Sequence, residues 1–285
     1  MAPRSPKHFD LVAPQIKMSS SRRTRAGSPT VAPRARQRPR TDIELDPSTT
    51  VFDRPVDFEP KVGAEAAGTL KRPGADYIVA AYQYATTAAP EKMQPKHIIV
   101  PGANFGDAIS VGHTEQQEET MLKDVIRTVE FASKCDIAVA LRSGGHSFAG
   151  YSSTEGDNIQ LDMKHFKSIA WDTPDKETIT CGAGTHVHDL DAVLAKHHAF
   201  IPHGQCGTVA VGGHLTTCGY SVVLPRAFGL MIDHVVGFTI VLAPKERDGA
   251  AIKVKLTKPD PDQPDARNDE PWFAVMGTAL AASAS

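Results

Sequence analysis

The chain is poor in the features that most often declare a function. No apolar run approaches the roughly 18 residues needed to span a bilayer, so no membrane partner is expected. Four cysteines, Cys135, Cys181, Cys206 and Cys218, include no C-x-x-C pair, so neither a zinc ribbon nor a disulfide scaffold is indicated. Charge of one sign is lacking too. The 31 basic and 33 acidic side chains leave a net −2, which argues against nucleic acid as the main partner of the whole chain. There is no internal repeat. The N-terminus lacks the basic-then-apolar design of a secretory signal, so a cytoplasmic or organellar location is expected ahead of secretion. What remains is an ordinary globular composition, 41% hydrophobic and 22% charged over 285 residues, long enough for one large or two small domains.

One absence is local. No Asp or Glu lies between Asp10 and Asp42, a gap that holds Lys17, Arg22, Arg23, Arg25, Arg34, Arg36, Arg38 and Arg40. Residues 1–45 therefore read as a disordered basic arm that cannot bury enough apolar surface to fold, and that ligand binding does not need. An Arg- and Ser-rich, acid-poor segment also fits an organellar transit peptide, although its prolines oppose the amphipathic helix of a mitochondrial signal. Residues 46–95 read as a leader of unclear structure with one weakly helical stretch at 76–89.

From Lys96 the pattern sharpens. His97-Ile98-Ile99-Val100 is a short apolar run stopped by Pro101-Gly102, which predicts a strand and a turn. Thr114 and Gln117 form a capping-box signature, followed by Leu122, Val125, Ile126, Val129 and Ala132 at helical spacing. An apolar strand at 137–141 then ends directly at Arg142. Short strands are predicted at 158–163, 168–171 and 178–181, a helix at 188–197, a buried strand at 235–242 and a half-buried one from Ile252 to Thr257. Asp248-Gly249 reads as the hairpin turn before it.

Two loops carry the chemistry. In Arg142-Ser143-Gly144-Gly145-His146-Ser147 the paired glycines let successive backbone N–H groups curl around an anion such as a diphosphate. Arg142 adds positive charge, Ser143 and Ser147 add hydrogen-bond donors, and His146 is a nucleophile when neutral. The second loop runs Gly204-Gln205-Cys206-Gly207-Thr208-Val209-Ala210-Val211-Gly212-Gly213-His214 and sets a thiol eight residues before a His, with two glycines between them. A thiolate is the reactive form of such a cysteine.

Together these loops resemble the flavin-anchoring loops of FAD-linked oxidases with a PCMH-type (vanillyl-alcohol-oxidase-like) FAD-binding domain, in particular the berberine-bridge-enzyme-like branch. The resemblance covers about residues 96–256, and Tyr220, Arg226, Phe228-Gly229-Leu230 and Asp233-His234-Val235 extend it downstream. It implies an α+β fold with an FAD-binding domain at 96–258, split into subdomains at about 96–165 and 166–258. It implies FAD as the cofactor, held by Arg142, Ser143, Gly144, Gly145, His146, Ser147, Cys206, Val209, Gly212, Gly213, His214, Gly219, Tyr220 and Val235. In the family the His matching His146 bonds to the methyl carbon on the benzenoid ring of the flavin. The Cys matching Cys206 bonds to the neighbouring ring carbon. Such enzymes remove a hydride from an alcohol- or amine-type carbon of a small-molecule substrate, and dioxygen reoxidises the flavin.

The departures shape the expectation as much. Thr216-Thr217-Cys218-Gly219 stands where the family usually has a run of glycines. Pro271-Trp272-Phe273-Ala274-Val275-Met276-Gly277 resembles the start of a family segment beyond which relatives continue through a substrate domain, missing here. The chain thus looks C-terminally truncated and weakly active, with 259–285 an acidic, Pro-rich loop and tail. The acid/base residues of the family mostly sit in the missing part, which leaves His203, His214 and Tyr220 as the only catalytic candidates. A non-catalytic flavin-binding fragment is the alternative.

Two other patterns are set aside. Gly182-Ala183-Gly184 suggests a dinucleotide fingerprint, but its third glycine position is Val187 and no acid lies about 20 residues on to bind a ribose. A metal-dependent hydrolase could draw on His186, His188, His197, His198, His203 and His214 with Cys181, Cys206 and Cys218. His186 and His188 cannot share a helix face at i, i+2, however, and no metal site is expected.

Overall fold

A computed structural model describes residues 11–18, 43–53, 75–81, 83–84, 93–105, 114–172, 174 and 177–275. In chain order its elements are β1 (Leu11–Met18), β2 (Thr50–Asp53), α1 (Ala75–Ala81), β3 (His97–Val100), α2 (Glu115–Cys135), β4 (Val139–Arg142), β5 (Ile159–Asp162), β6 (Ile169–Trp171) and β7 (Ile179–Gly182). There follow α3 (Val187–Ala195), α4 (Val211–Thr216), α5 (Pro225–Phe228), β8 (Val235–Leu242), β9 (Ile252–Thr257) and α6 (Ala266–Val275).

The strands form two sheets. One has the order β2-β3-β5-β4, with β5 parallel to both its neighbours and β2 antiparallel to β3. The chain returns from β3 to β4 through α2, as parallel strands require. The reason α2 forms is legible at its start. The Thr114 side chain accepts from Gln117 N at 3.3 Å, and the Gln117 side chain accepts from Thr114 N at 2.9 Å. Its stripe of Met121, Leu122, Val125, Val129 and Ala132 is buried in one core with Ile99, Ile159 and Leu161 of the sheet. Asp136, left-handed at φ 55°, ends the helix.

The second sheet is antiparallel throughout, with the order β6-β7-β1-β8-β9. Its core gathers Ile179, Cys181, Leu190, Val211, Leu215, Met231, Phe238 and Leu256. Cys181 is fully buried there, and burial pushes its thiol up to about 12, so it is an inert core residue. Of the alternating β9 side chains only Leu256 is buried, and Ile252 is 54% exposed.

The structure is of mixed α+β type, as the sequence suggested, but three segments differ from expectation. The supposed arm at 1–45 contains β1, which pairs with β7 on one side and β8 on the other. A strand so placed gains hydrogen bonds from both neighbours, which the isolated segment lacks. The rest of the basic stretch, 1–10 and 19–42, lies outside the described residues. The leader at 46–95 supplies β2 to the four-stranded sheet, and Tyr77 and Ala80 of α1 share a core with Ile98 and Val100 of β3. The entry of the leader is pinned by buried Asp124 of α2, which accepts from Asp46 N and from the Thr49 hydroxyl. Finally, 259–285 is not all loop. Residues 266–275 form α6 despite Pro271, because Trp272 and Val275 are buried against the second sheet, with the Trp272 ring 5.1 Å from that of Phe238.

Candidate functional site

The two glycine-rich loops come together. The first leaves the end of β4, and the second leads into α4. Gly144 lies so close to Ala210 that an added Cβ would stand 2.9 Å from the Ala210 nitrogen. At Gly212 a Cβ would meet Ser143 Oγ at 2.8 Å and the Ala183 oxygen at 2.9 Å. Backbone bonds from Val211 N to Thr185 O and from Gly212 N to Ala183 O hold the second loop on the turn after β7. Gly182 and Gly184 are packing residues: a Cβ on either would lie about 2 Å from the Phe166 or Met163 carbonyl oxygen. Close packing accounts for these two glycines, while Ala183 between them faces the space between the loops.

Between the loops opens a cavity of about 830 Å³, within the usual size of cofactor sites. Its wall includes Ser143, Gly144, Gly145, His146 and Ser147 from one loop and Val209, Gly212, Gly213 and His214 from the other. Gly213 has nothing within 4 Å of a would-be Cβ, so this backbone faces open space.

His146 stands at the meeting point. Its Nε2 lies 3.1 Å from the Thr208 hydroxyl, and that hydroxyl lies 3.6 Å from Cys206 Sγ. One side chain thus links the two predicted nucleophiles, 60 residues apart in sequence. Burial lowers the pKa of His146 and the Arg142 charge adds to this, outweighing the opposing bond to Thr208, so the ring is held neutral and nucleophilic. The Tyr84 ring stacks on it, with centroids 4.0 Å apart and planes 23° from parallel, and Tyr84 N donates to Gly145 O. Tyr84 is held in place by its neighbour. Gln83 is buried, accepts from the Ser152 hydroxyl at 2.7 Å and donates to Gln160 Oε1.

Other expected residues lie elsewhere. Arg142 does not line the cavity; its guanidinium pairs with buried Asp162, across β4 and β5. Val235 is fully buried in the second core, and Gly219 packs on Met231 at φ +61°; neither reaches the cavity. Tyr220 is 57% exposed outside it. His214 is in the wall, but its Nε2 accepts the Gly204 N–H at 2.8 Å, and burial with the nearby His203 lowers its pKa. His203 is held between Asp191 Oδ1 and Gly204 O, away from the cavity.

Of the histidines and cysteines weighed as ligands, only His186 and His188 gather with a further donor, Asp189, among the described residues. The i, i+2 argument fails because His186 precedes the helix as its N-cap while His188 is inside it. Sequence reading missed this grouping, and it missed Tyr84 and the linking role of Thr208. Tyr84 carried no local signal.

The fit to a flavin dinucleotide rests on two glycine-bearing loops, a cavity of suitable size, and a neutral imidazole in its wall; the Cys206 thiol does not line the cavity and reaches His146 only through Thr208. Fold and cleft define an FAD-binding domain of the PCMH type. Residues 120–247 match the family model described as the FAD binding domain. The chain is 28% identical over 191 residues to the FAD-linked oxidoreductase pytB of Aspergillus terreus, covering 64% of this chain and 22% of that protein. It is 34% identical over 121 residues to berberine bridge enzyme-like 18 of Arabidopsis thaliana, covering 41% and 22%. Among solved structures, a glycopeptide hexose oxidase complexed with teicoplanin superposes with a TM-score of 0.53 at 25% identity, over 70% of this chain and 35% of that one. Residues 120–247 thus match an FAD-binding domain, and the curated relatives the chain resembles include FAD-linked oxidoreductases and berberine-bridge-enzyme-like proteins. The chain spans about a fifth of the length of these two relatives.

Proposed function

We propose that this chain holds FAD covalently, through His146 and Cys206, as the cofactor-binding part of an oxidase acting on a small molecule. The observation that carries this reading is the shared Thr208 hydroxyl, which joins His146 Nε2, in the wall of the glycine-lined cavity, to Cys206 Sγ, which lies outside that wall. When bound, FAD supplies a hydride acceptor for an alcohol- or amine-type carbon and passes the electrons on to dioxygen.

The residues divide the remaining work. With Nε2–H donating to Thr208 Oγ1, His146 would hold the flavin through Nδ1, its bond to the ring methyl carbon replacing one C–H bond there, with the proton released to solvent and the electron pair taken up by the flavin ring and passed on to dioxygen. The Thr208 O–H is then free to donate to the Cys206 sulfur. Tyr84, stacked on the imidazole, limits its rotation and shields it from water. The backbone at Gly144, Gly145, Gly212 and Gly213 gives the dinucleotide close approach, with Ser143 and Ser147 as donors. Arg142, tied to Asp162, sets the end of β4 and so aims the first loop.

The test is denaturation of flavin-loaded protein followed by electrophoresis. A yellow, fluorescent band should stay with the polypeptide, weaken in Cys206→Ala and vanish in the double variant with His146→Ala. Release of all flavin on denaturation would overturn the covalent reading.

A second reading has its own support. His203 has its ring nitrogens against Asp191 Oδ1 and Gly204 O, His214 accepts the Gly204 N–H at Nε2, its one basic nitrogen when neutral, and Tyr220 lies off the cavity. None is placed to take a proton from a substrate, so the 285-residue chain by itself would bind flavin and turn over poorly. General base catalysis is worth about a hundred- to ten-thousand-fold. Anaerobic mixing of the loaded chain with oxidisable alcohols should bleach the flavin slowly; fast, saturable bleaching would mean that the described residues suffice.

A further inference from the structure

The N-terminal end of α3 carries a cluster that does not line the cavity. His186, its N-cap, and His188 and Asp189 of its first turn present three donor atoms within 4.8 Å of one another. Each oxygen of Asp189 faces a different imidazole: Oδ1 lies 3.1 Å from His188 Nε2, and Oδ2 lies 3.9 Å from His186 Nδ1.

The second observation concerns the far side of His188. Its Nδ1 lies 2.8 Å from the Gly207 carbonyl oxygen. A carbonyl only accepts, so Nδ1 bears the proton, and in the neutral ring Nε2 presents a lone pair toward the Asp189 carboxylate. Two lone-pair-bearing atoms at 3.1 Å repel unless a proton or a metal ion lies between them. An imidazole fixed by an Nδ1–H to carbonyl bond is the usual outer-shell arrangement of a metal-binding histidine. Gly207 permits this contact, since a Cβ there would stand 3.1 Å from His188 Cβ.

We propose that His186, His188 and Asp189 form a divalent-metal site with two nitrogen donors and one oxygen donor, of the kind that takes Zn²⁺. The geometry is near what the ion needs. Zinc bonds of about 2.0–2.1 Å in a tetrahedron put ligand atoms roughly 3.3 Å apart, and the three donor atoms, one from each residue and all within 4.8 Å of one another, reach that spacing by side-chain rotation. His188 is about half exposed, which leaves the fourth position to water. Because His188 is bonded to Gly207, the ion would tie the start of α3 to the loop that carries Cys206 and Thr208. The site would brace the segment next to His146 and take no part in electron transfer.

The test uses Co²⁺ as a visible probe of tetrahedral coordination, titrated into chelator-stripped, tag-free protein. One equivalent should bind saturably with intense d–d absorption, and Zn²⁺ should displace it. His188→Ala and Asp189→Asn should each weaken binding at least tenfold, His186→Ala likewise, whereas His197→Ala should bind as the wild type does. Far-ultraviolet circular dichroism checks that the variants fold. Absence of saturable binding, or binding that survives all three substitutions, would overturn the proposal and leave His188 and Asp189 as a proton-bridged pair. The readout does not require flavin, so its failure is separate from failure of the cofactor reading.

Discussion

Thr208 sits where the chemistry of two distant side chains meets. Replacing it with Val keeps shape but removes the hydroxyl that orients His146 and contacts Cys206. Thr208→Val should still bind FAD yet attach it more slowly, by about tenfold, the worth of one hydrogen bond of about 1.4 kcal/mol. The rate at which denaturation-resistant fluorescence grows after FAD addition measures this, and an unchanged rate would remove Thr208 from the mechanism. The two glycines of α4 make a second, paired prediction. Gly212→Ala forces a methyl into Ser143 and the Ala183 carbonyl, so it should lower thermal stability and flavin content together. Gly213→Ala meets nothing in the protein, so it should leave the melting temperature unchanged and lower FAD affinity alone. Equal FAD binding in Gly213→Ala and wild type would mean that the cofactor does not pass over this backbone.

Among elements, β1 carries the most weight for its length. It fills the middle of the antiparallel sheet, with Gln15 opposite both Gly182 of β7 and Thr239 of β8. Removing it would expose two strand edges at once, and unpaired edges invite association. A chain starting at Asp46 should therefore be less stable and prone to aggregate, measured by denaturant unfolding and light scattering. A soluble, equally stable product would put residues 11–18 outside the fold. The α1 segment acts on the site by a different route. Its C-terminal end is fixed by the buried Gln83, Gln160 and Ser152 bonds, which carry Tyr84 onto the His146 ring.

Across the whole molecule, stability should fall toward both ends of the pH scale. His146, His186 and His214 all have lowered pKa values in the fold, with burial as the first cause. Below their ordinary value of 6.5 the unfolded chain binds these protons while the folded one resists them, so stability drops as pH falls through that region. Protonating His214 also removes the acceptor of the Gly204 N–H. At the alkaline end Cys181 has the opposite sign of effect. Its thiol ionises near 9.0 when unfolded and near about 12 when folded, so stability falls as pH rises through that window. Urea midpoints between pH 5 and pH 10 would trace both limbs, with pH set by the observer. A flat acid limb would mean that the three imidazoles protonate freely in the fold. His214→Gln should flatten that limb in part, and Cys181→Ala should flatten the alkaline one.

The sequence alone settled what depends on short-range pattern. The Thr114–Gln117 cap, the apolar spacing of α2, the uninterrupted run of β8 and the two glycine-rich loops all lie within a few turns or strands of chain, where spacing and backbone freedom decide the outcome. Through the resemblance of these loops to the flavin-anchoring loops of FAD-linked oxidases, the cofactor class was legible too. Only the tertiary structure decided which distant residues touch. It placed β1 between β7 and β8, stacked Tyr84 on His146, turned Arg142 to Asp162, and moved Val235 into the core. It also gathered His186, His188 and Asp189 across a helix start. These contacts follow from sheet register and from which loop packs on which, and such energies are shared among residues up to more than 200 positions apart. No local pattern encodes them, because a Tyr, an Arg or a basic stretch reads the same whether or not its partner has been brought to it.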